Sequence, residues 1–221
     1  MSGRMGIFGG TFDPIHNGHL VIAEQVADVL GLERVIFVPS GVPPHKEFSS
    51  VKAPAEDRYA MVEAAVRGNE RFVVDRIEVD AGRAMYSVET VPLLKERYEG
   101  DEWFFVSGAD EVSNLLQWRD PDGFLAEARM VAATRPGYDI SNLDHLAAEL
   151  KNFDRIVPVE CTRLDISATT IRRMVAEGKS VRYLVPEAVY ETINDRGLYG
   201  EENGAPVDAR EGSLSSEEDV S

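Results

Sequence analysis

His16 and His19 stand three residues apart, just after Gly9-Gly10 and an Asp13-Pro14 step. On a helix, side chains at that spacing point the same way. A helix start also presents free N–H groups and partial positive charge. Two imidazoles placed there suit a phosphate undergoing chemistry. Further along, Arg172-Arg173 follows Ser167 and Ser167 reads as an N-cap. Cations near a helix's positive end cost about 0.3–1 kcal/mol each, a penalty that a bound anion would reverse.

Local elements must position these groups. Met5 to Phe8 is an apolar run that reads as a buried strand. Gly9 and Gly10, lacking a Cβ, are expected to turn the backbone tightly and let it approach a ligand. From about Asn17 the pattern is helical, with Leu20, Ala23, Val26, Ala27 and Leu30 on one face. Arg34 to Pro39 reads as a second buried strand, and a β-α-β unit this early predicts a parallel sheet.

Ser40 to Ser50 is a loop that Pro43-Pro44 would stiffen, helping to hold His45 and Lys46. Ala55 to Arg67 has the spacing of an amphipathic helix with Tyr59, Val62 and Val66 inward. Phe72 to Val79 alternates and predicts a strand. A helix is expected to reach about Tyr98, with Ser87 as its N-cap. Trp103 to Val106 is a compact strand, followed by Ser107-Gly108-Ala109-Asp110 and a helix over Glu111 to Gln117. Asp120-Pro121-Asp122 starts a short helix, Arg129 to Thr134 is a strand, and Ser141 to Leu150 is helical. Arg155 to Val159 closes the sheet. A helix from about Thr169 to Glu177 buries Ile171, Met174 and Val175, and a last helix begins with Pro186 at its first position.

The strand ends Phe8, Pro39, Val106 and Thr134 are each followed within two or three residues by Gly or Pro. Ligands of open parallel sheets bind at such ends. The expected fold is therefore α/β, a Rossmann-like doubly wound parallel sheet that binds a nucleotide.

The 221 residues suit one such domain, and 43% hydrophobic content is enough for a sizeable core. From Gly200 onward the composition turns to Gly, Ser and acids, with seven acids and one arginine. This divides the chain into a domain over 1–200 and an acidic tail over 201–221, expected to be disordered. A net charge of −16 argues against nonspecific nucleic-acid binding and requires local cations for any phosphate substrate. No apolar stretch is long enough to cross a bilayer, and no signal peptide is apparent. Cys161 is the lone cysteine, which excludes an internal disulfide; these features are those of a cytoplasmic protein.

The stretch GIFGGTFDPIHNGHL (Gly6–Leu20) is neither the GxGxxG nor the GxxxxGK[ST] fingerprint. It resembles the GGTFDPxHxGH signature of the nucleotidylyltransferase superfamily, and specifically the bacterial nicotinate-mononucleotide adenylyltransferases. DISATTIRR (Asp165–Arg173) resembles the family's ISxTxIR motif, with Ala168 where a second serine is usual. The resemblance runs from about Met5 to Tyr199 and includes the PPHK loop. It implies the nucleotidylyltransferase type of the fold and adenylyl transfer from ATP to nicotinate mononucleotide, a step of NAD biosynthesis. It further implies His16, His19, Lys46 and Arg172 around the triphosphate, and Gly9, Gly10, Thr11, Phe12, His45, Gly108, Asp110, Arg135, Ser167 and Thr169 along the ATP. Tyr86, Ser87, Thr90 and Trp118 would hold the nicotinate nucleotide, Trp118 by stacking and the N–H groups near Tyr86 and Ser87 by receiving the carboxylate. Mg²⁺ would be held mainly by phosphate oxygens and water, without protein ligands of its own. Arg119 has no place in this scheme. A sister enzyme using nicotinamide mononucleotide or phosphopantetheine, a cytidylyltransferase and a noncatalytic nucleotide sensor remain the alternatives, and a homo-oligomer is compatible with the sequence.

Overall fold

The computed structural model describes residues 3–43 and 51–200. In chain order the elements are β1 (Arg4–Gly10), α1 (Asn17–Leu30), β2 (Arg34–Pro39), α2 (Ala55–Val66), β3 (Phe72–Val74), α3 (Ile77–Asp80) and α4 (Ser87–Arg97). They continue with β4 (Glu102–Gly108), α5 (Ala109–Val112), α6 (Pro121–Glu127), β5 (Arg129–Thr134), α7 (Asp144–Ala147), β6 (Ile156–Glu160), α8 (Ala168–Ala176) and α9 (Glu187–Asp195). All strands pair in parallel, in the order β3-β2-β1-β4-β5-β6. The order reverses between β1 and β4, where an open sheet of this kind leaves a crevice.

Strand side chains alternate between two cores, as the two-residue period of a strand requires. Phe8, Val35, Phe37, Phe104, Val106 and Val131 face one core together with α1, α2, α8 and α9. Ile7, Ile36, Val38, Trp103, Phe105 and Met130 face the other, with α4 and α6. A sheet covered on both faces explains why these strands read as unbroken apolar runs.

Several expectations need correction. Gly9 and Gly10 do not turn; they stay in β1, in register with Val38 and Pro39. Their small size serves close packing instead, since a Cβ on Gly9 would lie 2.8 Å from the Phe105 ring. The turn falls later, at Phe12, whose φ is 47°. The strand expected over Phe72–Val79 stops at Val74, because the buried Asp75 carboxylate accepts the Ile77 N–H at 2.8 Å and starts α3. Arg97 Nη1 at 2.7 Å and Tyr98 Oη at 3.0 Å hold that carboxylate in place. The helix expected over Glu111–Gln117 is broken into α5 and a 3₁₀ turn, Leu115–Gln117. The stretch Ser141–Leu150 likewise divides into a 3₁₀ turn, Ile140–Leu143, and α7. Ser87 is the first helical residue and Tyr86 the N-cap; Pro186 caps α9 rather than starting it.

On α2, Val62 and Val66 are buried as expected, but Tyr59 is not. Tyr59 is half-buried, and the guanidinium of Arg76 lies 4.6 Å from its ring centre. Arg58, 1% exposed, is buried instead. Its Nε donates to the Ala53 carbonyl at 3.1 Å, Nη1 to Thr11 at 2.7 Å and Ser40 at 2.6 Å, and Nη2 to Gly41 at 3.0 Å. The loops after β1 and β2 are thereby tied to α2 through their carbonyls.

Arg58→Met should leave these acceptors without their donor, at a cost of about 1–3 kcal/mol for each that stays buried. We expect a melting temperature lower by about 6 °C or more, on a scale of about 2–4 °C per kcal/mol for a chain of this size. Arg58→Lys should recover only part of the loss, because an ammonium cannot reproduce the planar fork. Thermal melts of the three proteins test this, and unchanged stability in Arg58→Met would refute the clamp.

Candidate active site

Two clefts open at the C-terminal ends of the strands, and Gly9 and Ser107 line both. The larger, of about 500 Å³, runs over β1, β4 and β5 to the start of α8. His16, His19, Gly108, Asp110, Arg135 and Ser167 line it with Gly9, so seven residues expected along the triphosphate and ATP share one space. Ala168 lines it as well, presenting a methyl group where the resembling motif carries a hydroxyl. Ser167 caps α8, accepting the Thr170 N–H at 3.2 Å. Arg135 stands between two carboxylates, 3.8 Å from Asp110 and 3.9 Å from Asp165.

The histidine pair differs from expectation. The rings stack with centroids 3.7 Å apart and planes 19° from parallel. His16 is 7% exposed and so belongs to the buried interior. Burial takes its imidazole down to a pKa of about 4, against only a weak opposing pull from its own backbone. His16 is therefore neutral near pH 7 and is not a cation for phosphate; two charged rings in this stack would also repel. The His16 N–H donates to His19 Nδ1 at 3.2 Å. With Nδ1 an acceptor, a neutral His19 carries its proton on Nε2.

The second cleft, of about 280 Å³, holds Gly10, Thr11, Tyr86, Ser87 and Trp118. Trp118 packs edge-on to Phe105, centroids 5.8 Å apart, and its indole N–H is buried without a partner among the described residues. Tyr86 does not offer its N–H to this space, because Glu89 Oε2 takes it at 3.1 Å. Of the two residues whose N–H groups were expected here, Ser87 remains. Thr90 is buried and does not line the cleft; its hydroxyl donates to Glu78 Oε1 at 2.8 Å.

Sequence reasoning missed Glu78, Met85, Ser107, Glu111 and Arg119 as cleft residues. Arg119, which had no place, lies with its guanidinium 4.9 Å from the Tyr86 ring centre. Glu78 was hidden by the strand expected around it.

The remaining site candidates stand off the walls. Phe12 is buried, edge-on to His19 with centroids 5.2 Å apart. Arg172 Nη1 donates to the Asp13 carbonyl at 2.7 Å and Nη2 to Thr169 Oγ1 at 3.3 Å, so it braces the turn after β1. Asp13 itself is buried. Its carboxylate accepts the N–H groups of Lys52 at 2.8 Å and Ala53 at 3.0 Å and the Tyr199 hydroxyl at 2.8 Å. Burial, and then the Asp13 charge, push the Tyr199 hydroxyl far above its ordinary pKa and keep it a donor. His45, Lys46 and the acidic tail lie outside the described residues.

Among the described residues no three His, Cys, Asp or Glu side chains form a group able to hold a metal ion. No described helix is long and apolar enough to cross a membrane. Cys161 is buried and unpaired, and burial raises its thiol pKa.

A sheet of this order, with a glycine strand end between two clefts at its switch point, is the frame of a nucleotide-handling α/β protein. Residues 7–174 match the family described as cytidylyltransferase-like. A relative from Rubrobacter xylanophilus, described as "Probable nicotinate-nucleotide adenylyltransferase", is 73% identical over 196 residues, 89% of this chain and 92% of the relative. One from Moorella thermoacetica, described in the same words, is 44% identical over 89% of this chain and 92% of its own length. Within the broader family, this chain belongs to the nicotinate-nucleotide adenylyltransferases. A solved structure described as Plasmodium falciparum nicotinic acid mononucleotide adenylyltransferase complexed with NaAD shares the fold, with a TM-score of 0.69 at 13% identity over 89% of this chain and 97% of that one.

The buried His16 should leave a mark on stability. The folded protein keeps its imidazole neutral down to about pH 4, whereas the unfolded chain takes up a proton below 6.5. Its contribution is intact above that value and is lost as pH falls through the window, by up to about 1.4 kcal/mol per pH unit. Urea denaturation at stepped pH should therefore show a shallower acid loss for His16→Gln than for the unmodified protein. Parallel curves for the two would contradict the burial of a neutral imidazole.

Proposed function

We propose that the protein transfers the adenylyl group of ATP to nicotinate mononucleotide, giving nicotinate adenine dinucleotide and pyrophosphate. One observation carries the reading: two clefts meet at Gly9 and Ser107, one lined by the histidines and one by Trp118 and Tyr86. ATP occupies the first and the mononucleotide the second, so their phosphates meet where the clefts join. A phosphate oxygen of the mononucleotide attacks the α-phosphorus of ATP. One P–O bond forms, the bond to the bridging oxygen breaks, and pyrophosphate leaves. No protein nucleophile is required; positioning and charge stabilisation do the work.

His19 donates from Nε2 to a phosphate oxygen, and the stacked neutral His16 fixes its ring. Arg172 sets the shape of the turn after β1 through Asp13. Asp110, exposed at the end of β4, is suited to ribose hydroxyls. Lys46 and His45 belong to the same proposal by family resemblance. Mg²⁺ would be held by phosphate oxygens and water and would supply charge neutralisation for the leaving pyrophosphate, a role that asks for no protein ligand cage. Trp118 offers its ring to the pyridinium.

Pyrophosphate release with ATP and a panel of mononucleotides, repeated with CTP, tests the assignment. Nicotinate mononucleotide with ATP should be the best pair, and equal use of the nicotinamide compound would overturn the choice of acceptor. His19→Ala should lower turnover by about 10²-fold or more, the loss usual for a preorganised donor; near-normal turnover would remove His19 from the chemistry. Trp118→Ala should weaken acid and amide substrates in similar proportion, because stacking senses the ring, and a change in their ratio would contradict that role.

A further inference from the structure

Among the described residues, Glu78 is one of two acids lining the second cleft, with Glu111, and nothing in the reaction above uses it. It is the second residue of α3, which the buried Asp75 carboxylate starts. The backbone there is closely packed, since a Cβ on Gly41 would lie 2.1 Å from the Glu78 carbonyl oxygen. Its Oε1 accepts the Thr90 hydroxyl at 2.8 Å, and Thr90 in turn lies 3.3 Å from the Tyr86 carbonyl. The carboxyl group is thus joined to the first turn of α4, which brings Tyr86 and Ser87 to the same cleft.

Among the described residues that cleft has a single cation, Arg119. Glu89 consumes the Tyr86 N–H. A carboxylate on the substrate ring would meet Ser87 on this side and Glu78 of α3 across the same cleft. Two carboxylates cannot share such a space without cost, whereas a carboxylic acid and a carboxylate make a strong hydrogen bond.

We propose that Glu78, as a carboxylic acid, donates a hydrogen bond to the ring carboxylate of the mononucleotide, and that this donor helps select acid over amide. The inference rests on the adenylyl-transfer reading and names a selectivity residue within it. Electrostatics supports it. Burial raises Glu78 to a pKa of about 7, the Thr90 hydroxyl pulls the other way, and the Glu89 carboxylate adds a smaller rise. The other charged groups at the cleft are few among the described residues. Glu111 and Arg119 line it, and Arg83 ion-pairs with Glu89 at 3.2 Å. On α3 itself Asp80 is taken up by Arg76 at 3.1 Å. The ends of β1 and β2 bring Gly9, Gly10, Thr11, Ser40 and Pro43, none of them charged. A bound ring carboxylate would raise Glu78 further and keep its proton in place. Once Glu78 ionises it becomes an acceptor, which suits an amide NH₂ and repels a carboxylate.

The test is the ratio of kcat/KM for nicotinate over nicotinamide mononucleotide, measured against pH. The ratio cancels every titration that both substrates share, including the histidines and the phosphates. It should fall by about tenfold between about pH 6 and about pH 8.5, the lower end of the cost of one unsatisfied buried hydrogen-bond partner. In Glu78→Gln the side-chain amide donates at every pH, so the acid preference should persist without the fall. Thr90→Val removes the hydroxyl that favours the ionised form, so the fall should move to higher pH. A flat ratio in the unmodified protein overturns the proposal and needs no variant to fold. A fall that survives in Glu78→Gln, or that stays in place in Thr90→Val, assigns the titration elsewhere and overturns it equally. Absence of transfer to either mononucleotide at all pH values would instead overturn the activity on which the proposal rests.

Discussion

The site depends on a buried exchange of hydrogen bonds between Asp13, Ala53 and Arg58. Asp13 takes the Ala53 N–H at 3.0 Å, and Arg58 gives to the Ala53 carbonyl at 3.1 Å. From that point Arg58 reaches the carbonyls of Thr11, Ser40 and Gly41, while Asp13 reaches Lys52 and Tyr199. Two buried groups of opposite charge thus satisfy the backbone of two loops that carry little regular structure. A loop pulled below the surface must have its polar atoms paired, or it costs several kcal/mol. The pairing lets the turn after β1 keep a shape that no helix or strand imposes, with Phe12 at positive φ and the His16–His19 stack at the start of α1. Because Arg172 holds the Asp13 carbonyl and Tyr199 its carboxylate, both ends of the domain converge on this turn.

This dependence also explains what could be read from the sequence. Strands buried on both faces announce themselves as apolar runs, and β2 and β5 have the boundaries expected from their residues. The start of α1 at Asn17 and the Ser167 cap follow from local spacing and local hydrogen bonds. The glycine pair was correctly singled out, but for a turn it does not make. In β1, Gly9 is needed because Phe105 occupies the space of a side chain, a contact between strands that no local pattern encodes. Arg58 was invisible for the same reason. Its partners at Thr11 and Ser40 are remote in sequence, and a charged residue on an amphipathic helix reads as solvated. The failure over Phe72–Val79 is a third case, in which alternation was overridden by a buried aspartate whose partners lie on α4 and after it. In both Asp75 and Arg58, buried charge was the feature missed; its cost is met only by partners that the fold supplies.

The division into two clefts follows from the sheet. With β1 central and the order reversing between it and β4, the connections diverge on either side of Gly9 and Ser107. Each side is furnished by its own helices, the histidines and α8 on one, α4 and the segment after α5 on the other. A chain that holds two substrates for an in-line displacement needs such a divide, with their phosphates meeting at its edge. The family resemblance suggested the two groups of contacts. The geometry adds that a backbone stripped of side chains at Gly9 forms the boundary between them.

The electrostatics of that boundary are sparing for a protein with a net charge of −16. A buried stack of two imidazoles cannot carry two charges, and burial removes the one on His16. Arg135 is shared by two carboxylates, and Arg172 is committed to the Asp13 turn. Of the cations near the larger cleft, Arg135 and Arg163 are thus paired with carboxylates and Arg172 with a carbonyl. Fixed donors aimed at the reacting oxygens need no reorganisation as charge moves from the α-phosphorus to the leaving group. A dense cluster of cations would bind ATP and pyrophosphate alike and hold the product as firmly as the substrate. A preorganised site spends its interactions on the transition state and releases what remains.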